Sequence, residues 1–100
     1  MLTVLRTDYF TQWLRDLNDR QARFKIVARI RRAEGGNLGD WKSVGDGVSE
    51  MRVDYGPGYR VYFARRGTAV ILLLAGGNKA TQFVDINAAK RMLKQMIIAL

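Results

Sequence analysis

The sequence contains neither cysteine nor histidine. Without cysteine no disulfide can form, and without either residue no zinc site of the Cys/His type is possible. A mechanism that needs an imidazole base is excluded as well, so acid–base chemistry falls to Asp, Glu, Lys, Arg, Tyr, Ser or Thr side chains. Because the acidic residues are scattered and no glycine-rich phosphate-binding loop is present, we expect no metal ion and no cofactor.

Proline occurs once, and a long apolar run does not occur. The longest apolar run, residues 69–75, is far too short to span a membrane. The first residues lack the basic start and the cleavage site of a signal peptide. We therefore expect a cytoplasmic protein without a membrane partner. The length of 100 residues predicts a single domain, 1–100.

Acidic residues are few, since 9 Asp and Glu stand against 17 Lys and Arg and leave a net charge of +8. This balance predicts a polyanionic partner: nucleic acid, an acidic protein, or both. The hydrophobic fraction of 48% is normal for a globular core and too high for a disordered chain.

A β-hairpin is predicted at the centre of the chain. In residues 50–55 and 59–64 the side chains alternate between two faces, one of them apolar, which is the period of a half-buried strand. The Gly-Pro-Gly segment between them is typical of a turn. Both apolar sets must face one core, and this requires an odd loop length, such as 55–57 or 54–58.

The odd loop places Arg52 and Arg60 nearly opposite each other on the other face of the hairpin, with Tyr62 nearby. Like charges directly opposite are destabilising, so the pair indicates a cradle for an anionic ligand. The alternative is an ordinary solvated outer face, since surface arginines are common. Tyr62 fits either a base-stacking residue or a partly exposed strand tyrosine.

The remaining segments predict an α+β fold in the order β-α-α-β-β-β-α. It is an antiparallel sheet of about four strands, with an N-terminal helical hairpin packed on one face and a C-terminal helix. Asp85 is expected to cap that last helix, whose apolar stripe extends to Ile97 and Leu100. Outside the central hairpin we predict a strand at 2–5, helices at about 8–17 and 19–34, a loop at 37–47 and a buried strand at 69–75.

Three basic residues of the second helix, Lys25, Arg29 and Arg32, are spaced to line one solvent-facing ridge. Such a ridge is either plain solvated surface or part of a binding face for a polyanion. The loop after the buried strand brings Lys79 close to the arginine pair if the sheet is continuous.

Three runs of the sequence, SEMRVDYGPGYRVYFARRG, VILLLAGGNKATQ and DINAAK, resemble the RelE/ParE toxin superfamily. More narrowly, they are similar to its phage-derived, HigB-like branch of addiction module killer proteins. The resemblance covers nearly the whole chain. It implies the toxin of a type II toxin–antitoxin pair, whose partner is a helix-turn-helix antitoxin and which contacts operator DNA only through the antitoxin complex.

RelE and HigB members are ribosome-dependent mRNA endonucleases, which use the 2′-hydroxyl to attack the adjacent phosphate. By this resemblance Arg60 matches the strand arginine that contacts the scissile phosphate, and Arg52 falls at a basic position of the neighbouring strand. Lys79 matches the basic residue of the loop, and Asp85 lies near the place of a Tyr or Asp-Tyr pair. Ile86 follows instead of tyrosine, so the base and acid remain open between Lys79 and Asp85.

The same resemblance implies ribosome and mRNA as partners, through a set of polar side chains. An alternative from the same superfamily is a ParE-like inhibitor of DNA gyrase without nuclease activity, which the missing histidine and tyrosine favour. A third hypothesis is a cationic face that serves chiefly to dock the antitoxin. The residues that we assign to RNA contact are Lys25, Arg29, Arg32, Tyr62, Arg65, Thr81 and Gln82.

Overall fold

The structure is a computed structural model that describes the backbone of residues 2–99 and the side chains of residues 2–96. Ile97 and Leu100, which we predicted in an apolar stripe, have side chains outside the described residues. None of the helices within residues 2–99 has the length and apolar character needed to cross a membrane. The elements are β1 (Thr3–Arg6), α1 (Asp8–Asp16), α2 (Arg20–Glu34), β2 (Trp41–Gly45), β3 (Val48–Val53), β4 (Tyr59–Arg66), β5 (Val70–Asn78), a single 3₁₀ turn (Lys79–Thr81) and α3 (Gln82–Ala99).

The strands form one mixed sheet in the order β1-β5-β4-β3-β2. The predicted α+β class is confirmed, with two differences in the sheet. β1 runs parallel to β5 instead of antiparallel, and a fifth strand, β2, lies in the predicted loop. β2 pairs with β3 because Asp46 and Gly47 adopt φ angles of 55° and 80°, which is the conformation of a tight two-residue hairpin turn.

Helices α1 and α2 each begin at a capping side chain, Thr7 and Asp19. Thr7 accepts a hydrogen bond from the backbone N–H of Phe10 at 3.0 Å. Its hydroxyl donates to the carbonyl of Leu74 at 2.7 Å, which fixes the start of α1 to β5. Asp19 accepts hydrogen bonds from two backbone N–H groups of the first turn of α2. Each cap satisfies donors that a helix terminus otherwise leaves without a partner.

The sheet carries a hydrophobic core on each face. Helices α1 and α2 cover one face, where Phe10, Ile26 and Phe63 are fully buried. Helix α3 covers the other, where Tyr62 and Leu74 are fully buried. The expectation that Tyr62 is partly exposed is therefore wrong. β5 is apolar on both faces and α3 carries an apolar stripe of its own, so the two elements bury each other.

Arg29 does not lie on a solvent-facing ridge, so that part of the prediction is wrong. Its buried guanidinium donates to the backbone carbonyls of Leu38, Asp40 and Arg52, the last two at 3.1 and 3.3 Å. Burial lowers the pKa of Arg29, and the nearby Arg32 lowers it further. Arg29 therefore fixes the loop before β2 to α2 and to the end of β3, whereas Arg32 remains exposed as predicted.

Candidate functional site

Arg52 and Arg60 stand directly opposite each other on β3 and β4. The connecting loop is 54–58, one of the two odd lengths that we predicted, so the register is confirmed. The Arg60 Nη1 donates to the carbonyl of Gly58 at 2.6 Å, which holds the guanidinium against the turn. Gly58 has a φ of +78°, and a Cβ there would lie 2.7 Å from that nitrogen. The turn therefore needs glycine both for its backbone conformation and for the close approach of Arg60.

Glu50 is a site residue that the sequence reasoning missed. It lies on the same face as Arg52 and is 0% exposed. Its Oε1 is 3.4 Å from the Arg52 Nε, and its Oε2 accepts a hydrogen bond of 2.7 Å from the Gln82 Nε2. A buried carboxylate is costly unless it is paired in this way. Glu50 therefore orients Arg52 and joins β3 to the first residue of α3.

The start of α3 differs from the prediction that Asp85 is its cap. Asn78 caps the preceding 3₁₀ turn by accepting hydrogen bonds from the backbone N–H groups of Ala80 and Thr81. Helix α3 then begins at Gln82, so that Asp85 already lies in its first turn. There the Asp85 Oδ2 accepts a hydrogen bond of 2.5 Å from the Thr81 hydroxyl. Thr81 is thus a partner of Asp85 within the protein.

Gly77 brings Asp85 next to Arg60. It pairs with Arg60 across β4 and β5, and paired residues point to the same face of a sheet at Cα separations of about 4.5–5.5 Å. A Cβ on Gly77 would lie 1.7 Å from the Asp85 Oδ2. The Asp85 carboxylate therefore rests on the glycine backbone beside Arg60. On the opposite face, a Cβ on Gly76 would lie 2.3 Å from the ring of Trp13.

Lys79 lies beside the turn that holds Arg60. Its backbone N–H donates to the carbonyl of Pro57 at 3.4 Å, and its side chain is exposed. The four candidates for catalysis are thus brought to one end of the sheet, together with Glu50 and Gln82. The residues that we call the hairpin–helix site are Glu50, Arg52, Arg60, Lys79, Thr81, Gln82 and Asp85.

Tyr62 lies beneath this site and is not available to stack on a base. It pairs with Glu50 across β3 and β4 and is 0% exposed. Burial raises the pKa of the Tyr62 hydroxyl, and the negative charge of Glu50 raises it further. Within the described residues, neither this hydroxyl nor the buried Arg60 Nε has a hydrogen-bond partner.

The remaining residues that we assigned to RNA contact lie at different distances from the site. Lys25 and Arg32 line a groove of about 430 Å³ between α2 and the end of β3, which also reaches Arg52. The Lys25 ammonium lies 5.4 Å from the ring centroid of Tyr55. Arg65 is exposed toward the other end of β4, roughly 16 Å from Arg60 along the strand. The structure therefore groups Lys25 and Arg32 with the site and separates Arg65 from it.

The family described as "Phage derived protein Gp49-like (DUF891)" matches residues 12–96, which include the whole hairpin–helix site. The chain belongs to this family. The Gp49-like family is a RelE-like toxin family. A relative from Haemophilus influenzae, described as an uncharacterized protein, is 46% identical over 95 residues, which cover 95% of this chain and 96% of the relative.

Proposed function

We propose that this Gp49-like protein is the toxin of a type II toxin–antitoxin pair, of the HigB-like branch, and that it is a ribosome-dependent mRNA endonuclease. The observation that carries the proposal is the placement of Arg60 between a second arginine, Arg52, and the carboxylate of Asp85. This combination offers two cations and an acid–base group to one phosphodiester.

The arginine pair suits the charge that develops on the scissile phosphate. Attack by the 2′-hydroxyl creates a phosphorane-like transition state with excess negative charge, which preorganised guanidinium groups stabilise. Arg52 is partly balanced by Glu50. Within the described residues no carboxylate oxygen lies within 4.0 Å of Arg60, so its charge remains available to an anion.

Asp85 and Lys79 are the proton-transfer groups of this proposal. Asp85 is half-buried, and its Oδ2 is held by Thr81, which leaves the other oxygen to accept the proton of the 2′-hydroxyl. The 2′-oxygen then bonds to phosphorus, and the bond from phosphorus to the 5′-oxygen breaks. Lys79 gives a proton to that leaving oxygen, so the products are a 2′,3′-cyclic phosphate and a 5′-hydroxyl. Glu50 is buried and acts as a positioning residue for Arg52 and Gln82.

The proposed partners follow from this activity. The substrate is mRNA in the decoding site of the ribosome, and the toxin is restrained by a cognate helix-turn-helix antitoxin. Contact with operator DNA occurs only through the complex with that antitoxin, and the protein works in the cytoplasm. The net charge of +8 supports polyanionic partners.

The test is an in vitro translation reaction with purified protein, followed by primer extension on the mRNA. We expect cuts within the codon at the decoding site, and we expect Arg60→Ala to abolish them. Arg66→Ala, which changes an exposed arginine at the end of the same strand, serves as the matched control and should cut normally. Intact mRNA together with blocked DNA supercoiling would instead establish a gyrase inhibitor and refute the nuclease proposal.

A further inference from the structure

An apolar groove lies between α1 and α2, on the side of the sheet opposite the hairpin–helix site. Its volume is about 540 Å³, and its lining surface is almost wholly apolar. Phe24 is 73% exposed at its edge, although it is a large apolar side chain on a well-formed helix. The groove is lined by Leu14, Arg15, Arg20, Arg23, Phe24 and Val27.

The rim of this groove is basic. Arg15, Arg20 and Arg23 form no ion pair with any of the described residues. The acidic side chains nearby are already engaged, because Asp16 accepts a hydrogen bond of 2.9 Å from Gln12 and Asp19 caps α2. A binding partner would therefore meet an apolar floor with positive charge around it.

We propose that this groove receives an amphipathic helix with acidic flanks from a second protein. The space between two helices accepts the apolar face of a third helix, and carboxylates on its flanks pair with the arginine rim. A second copy of this chain is a poor occupant, because each copy carries a net charge of +8. The apolar lining favours a helix over RNA, whose backbone offers phosphates to every surface it contacts.

The groove lies on the face covered by α1 and α2, whereas the hairpin–helix site lies on the face covered by α3. Phe24 lines both this groove and the groove that reaches Arg52, so the two surfaces meet at that side chain. A helix bound between α1 and α2 leaves Arg60 and Asp85, on the other face of the sheet, accessible.

The test uses a synthetic helical peptide of about four turns, with leucines at i, i+3, i+4 and i+7 and glutamates on the flanks. Binding to the intact protein is followed by shifts of the backbone amide signals in NMR spectra. We expect the shifts to cluster on α1 and α2. We also expect Phe24→Ala and Arg20→Glu to weaken binding at least tenfold, and the folded spectrum to be retained because both side chains are exposed.

Two controls make this test specific. Phe83→Ala removes another exposed phenylalanine (78%) on α3, and Arg60→Ala disables the hairpin–helix site, so both should bind the peptide normally. A peptide with lysines in place of the glutamates should not bind. Equal binding of both peptides, equal binding by all variants, a dissociation constant weaker than about 1 mM, or shifts of the same amides by single-stranded RNA alone would each overturn the proposal.

Discussion

The carboxylate of Asp85 rests directly on the backbone of Gly77, where any Cβ would lie 1.7 Å from its Oδ2. Because Gly77 is paired with Arg60, this contact places the Asp85 carboxylate beside the strand position of Arg60. The neighbouring Gly76 has the same kind of contact on the other face, with Trp13. Of these two adjacent glycines, Gly77 makes room for Asp85 on the face covered by α3, and Gly76 makes room for Trp13 on the face covered by α1 and α2.

Substitution of Gly77 by alanine should disable the site with a modest cost in stability. The new methyl group must displace the half-buried Asp85 and the exposed Thr81, and a misplacement of about 1 Å costs on the order of 100-fold in rate. The rate of mRNA cleavage and the urea-induced unfolding of Gly77→Ala provide the two measurements.

Gly76→Ala is the matched control for that experiment. Its methyl group meets the Trp13 ring in the other core, so we expect a loss of about 1–3 kcal/mol in the free energy of unfolding. Cleavage per folded molecule should stay close to that of the wild type. If both alanine variants lose activity equally, Asp85 has no special role.

Arg60→Ala should lower the rate of mRNA cleavage by about 100–1000-fold, the effect of removing one preorganised transition-state donor. The free energy of unfolding should fall by no more than about 1 kcal/mol, because only the hydrogen bond to Gly58 is lost. Arg60→Lys should also be impaired, since an ammonium keeps the charge and loses the bidentate geometry. Full activity of Arg60→Lys would show that bidentate contact with phosphate is unimportant.

Glu50→Met should separate stability from activity. The change removes a buried carboxylate, and its partner Arg52 stays in contact with water because its side chain is 41% exposed, so we expect the free energy of unfolding to change by less than about 1 kcal/mol. Cleavage should nevertheless fall, because Arg52 and Gln82 lose the carboxylate that orients them. Urea unfolding together with the primer-extension assay measures both effects, and a stable, fully active Glu50→Met would contradict the positioning role.

Arg29→Met and Arg32→Met test two arginines that lie one turn apart on α2. Arg29→Met removes the guanidinium donor from three backbone carbonyls and should lower the free energy of unfolding by about 2–3 kcal/mol. The Asp40 carbonyl keeps a second donor, the backbone N–H of Arg52 at 3.1 Å. Arg32→Met changes an exposed side chain and should alter it by less than about 0.5 kcal/mol. Thermal or urea unfolding measures the free energy of unfolding of both variants, and equal losses would show that the contacts of Arg29 are unimportant.

Tyr62 should make stability depend on pH in the alkaline range. Its pKa is raised in the folded state above the ordinary value of 10.0, so the unfolded chain loses the phenolic proton first as the pH rises. The stabilising contribution is complete below pH 10 and is lost above it, with a slope of up to about 1.4 kcal/mol per pH unit. Unfolding of the wild type and of Tyr62→Phe should show this slope as their difference, and parallel curves would contradict it.

The central hairpin could be predicted because local rules determine it. A period of two and a Gly-Pro-Gly turn leave few registers, and the pairing of Arg52 with Arg60 follows from them. Strand β2 was missed although the Asp46-Gly47 pair is a strong signal for a two-residue turn. The strand is only five residues long, and its two apolar residues, Trp41 and Val44, are three positions apart, so no period of two marks it.

The burial of Glu50 and Tyr62 depended on a long-range contact. Their strands alternate as an open sheet face does, and only the docking of α3 covers that face. The sequence indicated that both faces of the sheet are covered, since residues 69–75 are apolar on both faces of their strand and need a packed layer on each face. Periodicity within one strand does not show which distant helix forms the covering layer.

The parallel pairing of β1 with β5 affects how the chain folds while it is being synthesised. Thr7 and its hydrogen-bond partner Leu74 are 67 residues apart, so at translation rates of 5–20 residues per second the first strand waits roughly 3–13 s for its neighbour. Contacts of such sequence separation form late in folding. The nascent chain therefore closes in a late step, and it acquires the hairpin–helix site only after β5 and the start of α3 have been made.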